Sequence, residues 1–248
     1  MEPFPGRRLL RALLPKSVAL RLRQEWIARQ IAKGGGHLEA DIFLLPQLVK
    51  PTDVCWDIGA NAGMYTVALS KLARAVVAFE PVPHNFATLR EVKRLAKLPN
   101  VELHQLAISD AKGHARFSVP VNQGFYGGYY MAAFHDQGEL EVETETIDSL
   151  VSQGAVEPDF IKCDVEGAEI RVVEGARQLI LRRPPIWLLE TFDSNVLSLL
   201  ESLGYTAFVR ASDNTLTEAE GLRIDCRNYI LLSGSEREVI QFARHSSP

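Results

Sequence analysis

The chain has 248 residues, 46% hydrophobic and 23% charged, enough to bury the core of one large domain or a domain with an extension. The formal net charge of −4 argues against a general nucleic-acid surface. That charge is unevenly placed: residues 1–33 carry eight basic residues and two acids, a net of +6, which leaves −10 on the rest. Cys55, Cys163 and Cys226 sit in apolar, strand-like runs without metal spacing. They read as buried small hydrophobes in a reducing cytoplasm. No run approaches a membrane span, and Leu9 to Leu14, broken by Arg11, is too short for a signal-peptide core.

Residues 7–33 read as helix, interrupted near Pro15. Leu20, Ile27 and Ile31 share one face, but Leu22 and Trp26 lie nearly opposite, where a membrane-surface helix needs one clean apolar face. The segment reads as a packing arm, capping the body or joining a homodimer. Lys33-Gly34-Gly35-Gly36 is a hinge, so residues 1–36 form a basic helical extension to a domain over 37–248. His37 to Leu48 reads as a helix carrying Glu39 and Asp41. Strand patterns follow at Val54–Ile58, Ala75–Phe79, Val101–Leu106, Phe160–Cys163 and Ile186–Leu189, and then at Tyr205–Val209 and Asn228–Leu232. Helical patterns lie near 62–72, 85–97, 167–182 and 197–203. Such alternation predicts an α/β fold, a parallel sheet covered on both faces, with ligands beyond the carboxyl ends of the strands.

The interval 107–158 breaks the alternation. Ala115–Val119 and Leu140–Ile147 have strand character. Between them, Gly124-Phe125-Tyr126-Gly127-Gly128-Tyr129-Tyr130 reads either as a flap, inserted at about 111–147, that closes on a ligand or as a hairpin with an aromatic tip. As a flap it offers Tyr126, Tyr129 and the nearby His135 to a substrate.

The most informative stretch is Val54-Cys55-Trp56-Asp57-Ile58-Gly59-Ala60-Asn61-Ala62-Gly63. An apolar strand ends in an acid, crosses a small-residue turn and enters a helix. Amides at the start of that helix are expected to face an anionic or electron-rich group. Glu80-Pro81, closing the next strand about 20 residues on, is placed to hold a ribose diol. In the dinucleotide pattern G-x-G-x-x-G, the second glycine lets a pyrophosphate approach. Here Asn61 stands in its place, and Asp57 would repel a phosphate but can pair with an ammonium. S-adenosylmethionine (SAM), with an ammonium, a carboxylate, a ribose and no phosphate, fits better.

Together with Ala107-Ile108-Ser109-Asp110, Asp159-Phe160-Ile161-Lys162-Cys163-Asp164-Val165-Glu166-Gly167-Ala168-Glu169 and Leu189-Glu190, these marks resemble the FkbM-type SAM-dependent methyltransferases over about residues 37–232. The resemblance implies a three-layer, Rossmann-like class I methyltransferase sheet in the order 3-2-1-4-5-7-6 with the last strand antiparallel. It implies O-methylation of a hydroxyl in a sugar or secondary metabolite. It also implies that Asp57, Gly59, Ala60, Asn61 and Gly63 line the methionine end of SAM, that Glu80 and Pro81 lie at the ribose, and that Ala107, Ser109 and Asp110 face the adenine. Glu39 is a further cofactor candidate.

An aliphatic hydroxyl becomes a nucleophile as its proton is removed, and a carboxylate or histidine can act as the base. Asp164, Glu166 and Glu190 are the candidates at the ligand edge, and His135 is an alternative. Clustered carboxylates raise one another's pKa, and Asp164 with Glu190 could equally ligate Mg²⁺. Glu166 and Glu169 could instead serve the N-terminus of the following helix. Two rivals keep the same sheet: an NAD-dependent oxidoreductase, which lacks here both the second glycine and a Tyr-x-x-x-Lys pair, and a catalytically silent SAM-binding scaffold. A base-amine methyltransferase would carry Asn/Asp-Pro-Pro-aromatic where Asp164-Val165-Glu166-Gly167 stands.

Overall fold

A computed structural model describes residues 16–34, 39–118, 133–134, 138–219, 221 and 227–234. Three strands fall where the apolar runs put them: β1 (Val54–Ile58), β2 (Ala75–Phe79) and β8 (Phe160–Cys163). β3 (Val101–His104) is shorter than expected, because the chain leaves the sheet at Gln105. It re-enters as β4 (Ala107–Ile108) in a second, four-stranded sheet of order β4-β7-β5-β6, with β5 (Gly113–Ser118), β6 (Ala133–Phe134) and β7 (Leu140–Glu145). β9 (Ile186–Glu190), β10 (Tyr205–Arg210), β11 (Leu216–Glu218) and β12 (Asn228–Ser233) complete the large sheet, of order β11-β10-β12-β9-β8-β1-β2-β3. Read in core-strand numbers, this is 3-2-1-4-5-7-6, with β12 antiparallel to both neighbours. β11, an antiparallel addition outside β10, goes beyond the seven strands expected.

The helices are α1 (Lys16–Ala32), a 3-10 turn (Ala40–Leu44) running into α2 (Leu45–Leu48), α3 (Met64–Ser70), α4 (Pro83–Ala96), α5 (Ile147–Ser152), α6 (Glu169–Glu174), α7 (Arg177–Arg182) and α8 (Ser194–Ser202). The helical pattern 167–182 is thus two helices. At the junction the Gly175 carbonyl accepts from the Asp148 N–H, the Asp148 carboxylate accepts from the Gln178 and Leu179 N–H groups, and a close crossing demands glycine: a Cβ at 175 would lie 2.1 Å from the Ser109 carbonyl oxygen. The strand read over 140–147 stops at Glu145. Thr146 then caps α5, its hydroxyl oxygen accepting from the Ser149 N–H at 2.9 Å.

Apolar clusters cover both faces of the large sheet. One joins Trp56, Ile58, Ile161 and Leu189 to Val172, Leu197 and Leu200; the other joins Cys55, Phe160 and Leu188 to Tyr65, Leu69 and Leu44. The strands of the middle are buried on both faces, so they read as continuous apolar runs. Cys55 and Cys163 are unpaired thiols in that interior; Cys226 lies outside the described residues. Helix α1 docks on the body. Its Ala28 packs with Val67 of α3 and Val92 of α4, and the Gln24 amide lies 2.9 Å from His84 Nδ1. Among the described residues no helix is long and apolar enough to cross a membrane.

Candidate active site

Register places the site. Phe79, Ile58, Cys163 and Leu189 stand side by side across β2, β1, β8 and β9. The next residue on each strand is Glu80, Gly59, Asp164 and Glu190. Three carboxylates and one glycine therefore emerge together at the carboxyl edge of four parallel strands.

Gly59 must be glycine. Its φ is +76°, and a Cβ would sit 1.8 Å from the Asp164 carbonyl oxygen. Gly63, with φ +92°, meets Leu89 Cδ1 at 2.5 Å in the same sense. The turn's amides are spent inside the protein. Gly59 and Ala60 donate to the Phe79 carbonyl at 3.0 Å each, Asn61 donates to Glu80 Oε2 at 2.8 Å, and Gly63 donates to the Ala60 carbonyl at 2.8 Å. The first two thus reach the end of β2, Asn61 reaches the carboxylate just past it, and Gly63 closes the turn on itself.

Glu80 is 4% exposed. It accepts from the N–H groups of Asn61 and Val82 at 2.8 and 2.9 Å and from the Asn85 amide at 3.5 Å. Burial pushes its pKa up to about 7 against those bonds. Asp57 is fully buried. Its Oδ2 accepts from the Thr66 hydroxyl at 2.5 Å, while Oδ1 has no partner. Burial raises its pKa, opposed by Lys162.

Lys162 belongs to the fourth-strand motif, where the sequence alone assigns it no role. It is the charged residue of an otherwise apolar buried strand, two positions before Asp164, and that pattern is the signal that could have singled it out. Its Nζ lies 3.2 Å from Asp164 Oδ2, 3.4 Å from the Gly59 carbonyl and 5.1 Å from the centre of the Tyr65 ring. Burial works against its charge, but Asp164, Asp57 and Glu39 outweigh that and hold its pKa above the ordinary lysine value. Glu39 accepts from the Tyr65 hydroxyl at 2.9 Å.

In the loop after β8, Glu166 and Gly167 both have positive φ. Glu169 is 4% exposed and accepts from the N–H groups of Val165 and Gly167, so it holds the loop in shape. Glu190 differs. Its half-buried carboxylate makes no hydrogen bond or ion pair among the described residues. Burial, then the charges of Asp164 and Glu39, push its pKa up to about 7.

Two clefts open at this edge and share Asp164 and Glu166. The first lies between polar groups of Glu80, Asn61 and Asn85 and an apolar slot of Leu106, Ile108, Phe117, Val165 and Ala168. The second is lined by Glu190, Asp193, Thr191 and Phe192 with the acidic loop. Neither has a lysine or arginine among its described lining residues. Of the anticipated cofactor residues, Gly59, Asn61, Glu80, Pro81 and Ala107 line the first cleft. Asp57, Ala60, Gly63 and Glu39 stand outside its lining, as do Ser109, whose hydroxyl donates to Asp110, and Asp110, which pairs with Arg171 at 3.9 Å. Tyr126, Tyr129 and His135 lie outside the described residues. Among the described residues no three His, Cys, Asp or Glu groups come together to hold a metal, so the Mg²⁺ reading of Asp164 and Glu190 gains no support.

The model of the methyltransferase FkbM domain matches residues 57–207. The chain belongs to that family. Relatives of this chain include the hexuronic acid methyltransferase AglP of Haloferax volcanii, 32% identical over 139 residues, which cover 55% of this chain and 56% of that protein. The chain thus spans little more than half the length of that relative. The 2-O-methyltransferase NoeI of Sinorhizobium fredii is 28% identical over 196 residues, 71% of this chain and 78% of that one. The 31-O-demethyl-FK506 methyltransferase FkbM of Streptomyces tacrolimicus is 29% identical over 195 residues, 64% of this chain and 74% of its own. A crystal structure of a methyltransferase FkbM from Methylobacillus flagellatus shares the fold, with a TM-score of 0.50 at 14% identity over 87% of this chain and 60% of that one.

Proposed function

We propose that this FkbM methyltransferase passes a methyl group from SAM to a hydroxyl of a sugar or related metabolite, with Glu190 as proton acceptor. The observation that carries the reading is the pair of joined clefts lined by carboxylates and by no described cation. A cofactor bearing an ammonium and a sulfonium finds complementary charge there, whereas a pyrophosphate would meet like charge. That contrast favours SAM over NAD. The apolar slot beside Glu80 suits a flat adenine, and Glu80, Asn61 and Asn85 supply polar groups for a ribose. Bound in the first cleft, SAM supplies an electrophilic methyl group.

The chain's own residues do the rest. Leu106, Ile108, Phe117 and Val165 keep water from the slot. Glu166, Glu190 and Asp193 offer acceptors to a polyhydroxylated molecule in the second cleft, and Glu190 takes the proton of the reacting hydroxyl. Two relatives' names, a 2-O-methyltransferase and a 31-O-demethyl-FK506 methyltransferase, support an oxygen acceptor, and a third, a hexuronic acid methyltransferase, supports a sugar. The unspent Glu190 also argues against a silent scaffold, which has no need of an unpaired carboxylate in its cleft.

Calorimetric titration with S-adenosylhomocysteine (SAH) and with NADH tests the cofactor. A screen of glycosides and hydroxylated metabolites, read by mass spectrometry for a methyl gain, tests the acceptor. Saturable SAH binding with a methyl gain on oxygen is the expected result; saturable NADH binding without SAH binding would overturn the reading.

A further inference from the structure

We propose that Lys162 is a positioning residue of this active site: its buried ammonium clamps the Asp164 carboxylate to the Gly59 turn and keeps Asp164 charge-paired. The proposal rests on the methyltransferase reading above, because it concerns the corner where the two clefts meet.

The geometry is that of a clamp. One ammonium reaches three elements: the end of β8 through Asp164 at 3.2 Å, the turn after β1 through the Gly59 carbonyl at 3.4 Å, and α3 through the face of Tyr65 at 5.1 Å. The side chain is 7% exposed. An ammonium so buried is retained only where opposite charge and acceptors surround it. Here the surrounding acids are Asp164, Asp57 and Glu39. Asp57 adds an independent sign of need, since its Oδ1 is buried and unpartnered. Removal of the cation would leave the buried Asp57 and the partly exposed Asp164 as neighbouring acids without that counter-charge.

The backbone reinforces the clamp. Gly59 and the Asp164 carbonyl touch so closely that no Cβ fits between them. Lys162 bonds to the carbonyl of the same Gly59 and to the side chain of the same Asp164, so main chain and side chain of one corner are tied by one residue. The groups facing Asp164 are Lys162 from β8, Asp57 from β1, Glu166 and Glu169 from its own loop, and Glu190 from β9. Only the lysine among them is cationic. The pairing commits Asp164 as a fixed acceptor and leaves Glu190, which has no described partner, as the carboxylate that takes a proton.

The test compares wild type, Lys162→Met and Lys162→Arg by SAH calorimetry. In Lys162→Met, SAH affinity should fall about tenfold. Lys162→Arg keeps the cation and should hold SAH affinity within about threefold of wild type, a rescue that filling of space alone would not give. If Lys162→Met does not fold, Lys162→Gln takes its place with the same expectations. A folded neutral variant with unchanged SAH affinity, or a Lys162→Arg that loses as much as the neutral variant, would overturn the proposal. Wild type that fails to bind SAH would instead overturn the methyltransferase reading.

Discussion

Glu80 at the end of β2 and Glu190 at the end of β9 have both been pushed to a pKa of about 7, chiefly by burial, yet their surroundings are opposite. Glu80 is fixed by two backbone N–H groups and the Asn85 amide. Glu190 has no such partner among the described residues, and other carboxylates press on it. A carboxylate held by three donors is a shaped acceptor suited to a ligand that stays the same through turnover. One that is unheld, and poised near neutrality, suits a proton that comes and goes. The same acidity thus serves two tasks, and the hydrogen bonds tell them apart.

That contrast can be broken most directly at Glu190. Glu190→Gln keeps shape and removes basicity, so turnover should fall by about 10²–10⁴-fold, while calorimetric SAH affinity stays within about threefold. A large loss of SAH affinity would mean that Glu190, like Glu80, serves the cofactor.

The pH dependence of stability comes next in size. Between pH 4.5 and about 7, folded Glu80 retains a proton that the unfolded chain has released. Stability of the cofactor-free protein should therefore decline as pH rises through that window, by at most about 3 kcal/mol from Glu80. Thermal unfolding at pH 5 and pH 8 measures it, and Glu80→Gln should reduce the dependence while leaving the share that Glu190 contributes.

Glu80→Gln should also weaken SAH binding by about tenfold, because one amide oxygen replaces two carboxylate oxygens before the Asn61 and Val82 donors. Its effect on turnover at saturating SAM should be small beside that of Glu190→Gln. The mildest change is Asn85→Ala, which removes a 3.5 Å contact to Glu80. A two- to threefold loss of SAH affinity is expected, in line with the low worth of a long hydrogen bond. Equal losses in Glu80→Gln and Asn85→Ala would show that Glu80 acts only through its scaffold.

Much of this was legible in the sequence, for a physical reason. β1, β2 and β8 are buried in a parallel sheet, so each is an apolar run bounded by polar turn residues, and its ends are its composition. The acids Glu80, Asp164 and Glu190 are the first polar residues past such runs, which is why the site could be drawn before the fold. What escaped depends on contacts remote in sequence. The need for glycine at 175 comes from Ser109, more than sixty residues away, and the departure of the chain after His104 from pairing between Ala107 and Thr144. Lys162 escaped because its partners, Asp57, Gly59 and Tyr65, lie on other elements, and only the fold brings an ammonium among them.

The place of β12 has a consequence in time. This strand, Asn228–Ser233, is inserted between β9 and β10, which precede it in the chain. During synthesis β10 is complete at Arg210, yet the slot beside it stays open until the chain has grown about twenty residues more. At about 5–20 residues per second, that is an interval of about one to four seconds. Over that interval two strands present open edges, each able to pair with a neighbouring chain. The sheet closes from within, and the last of its described strands to be made is the one that seals it.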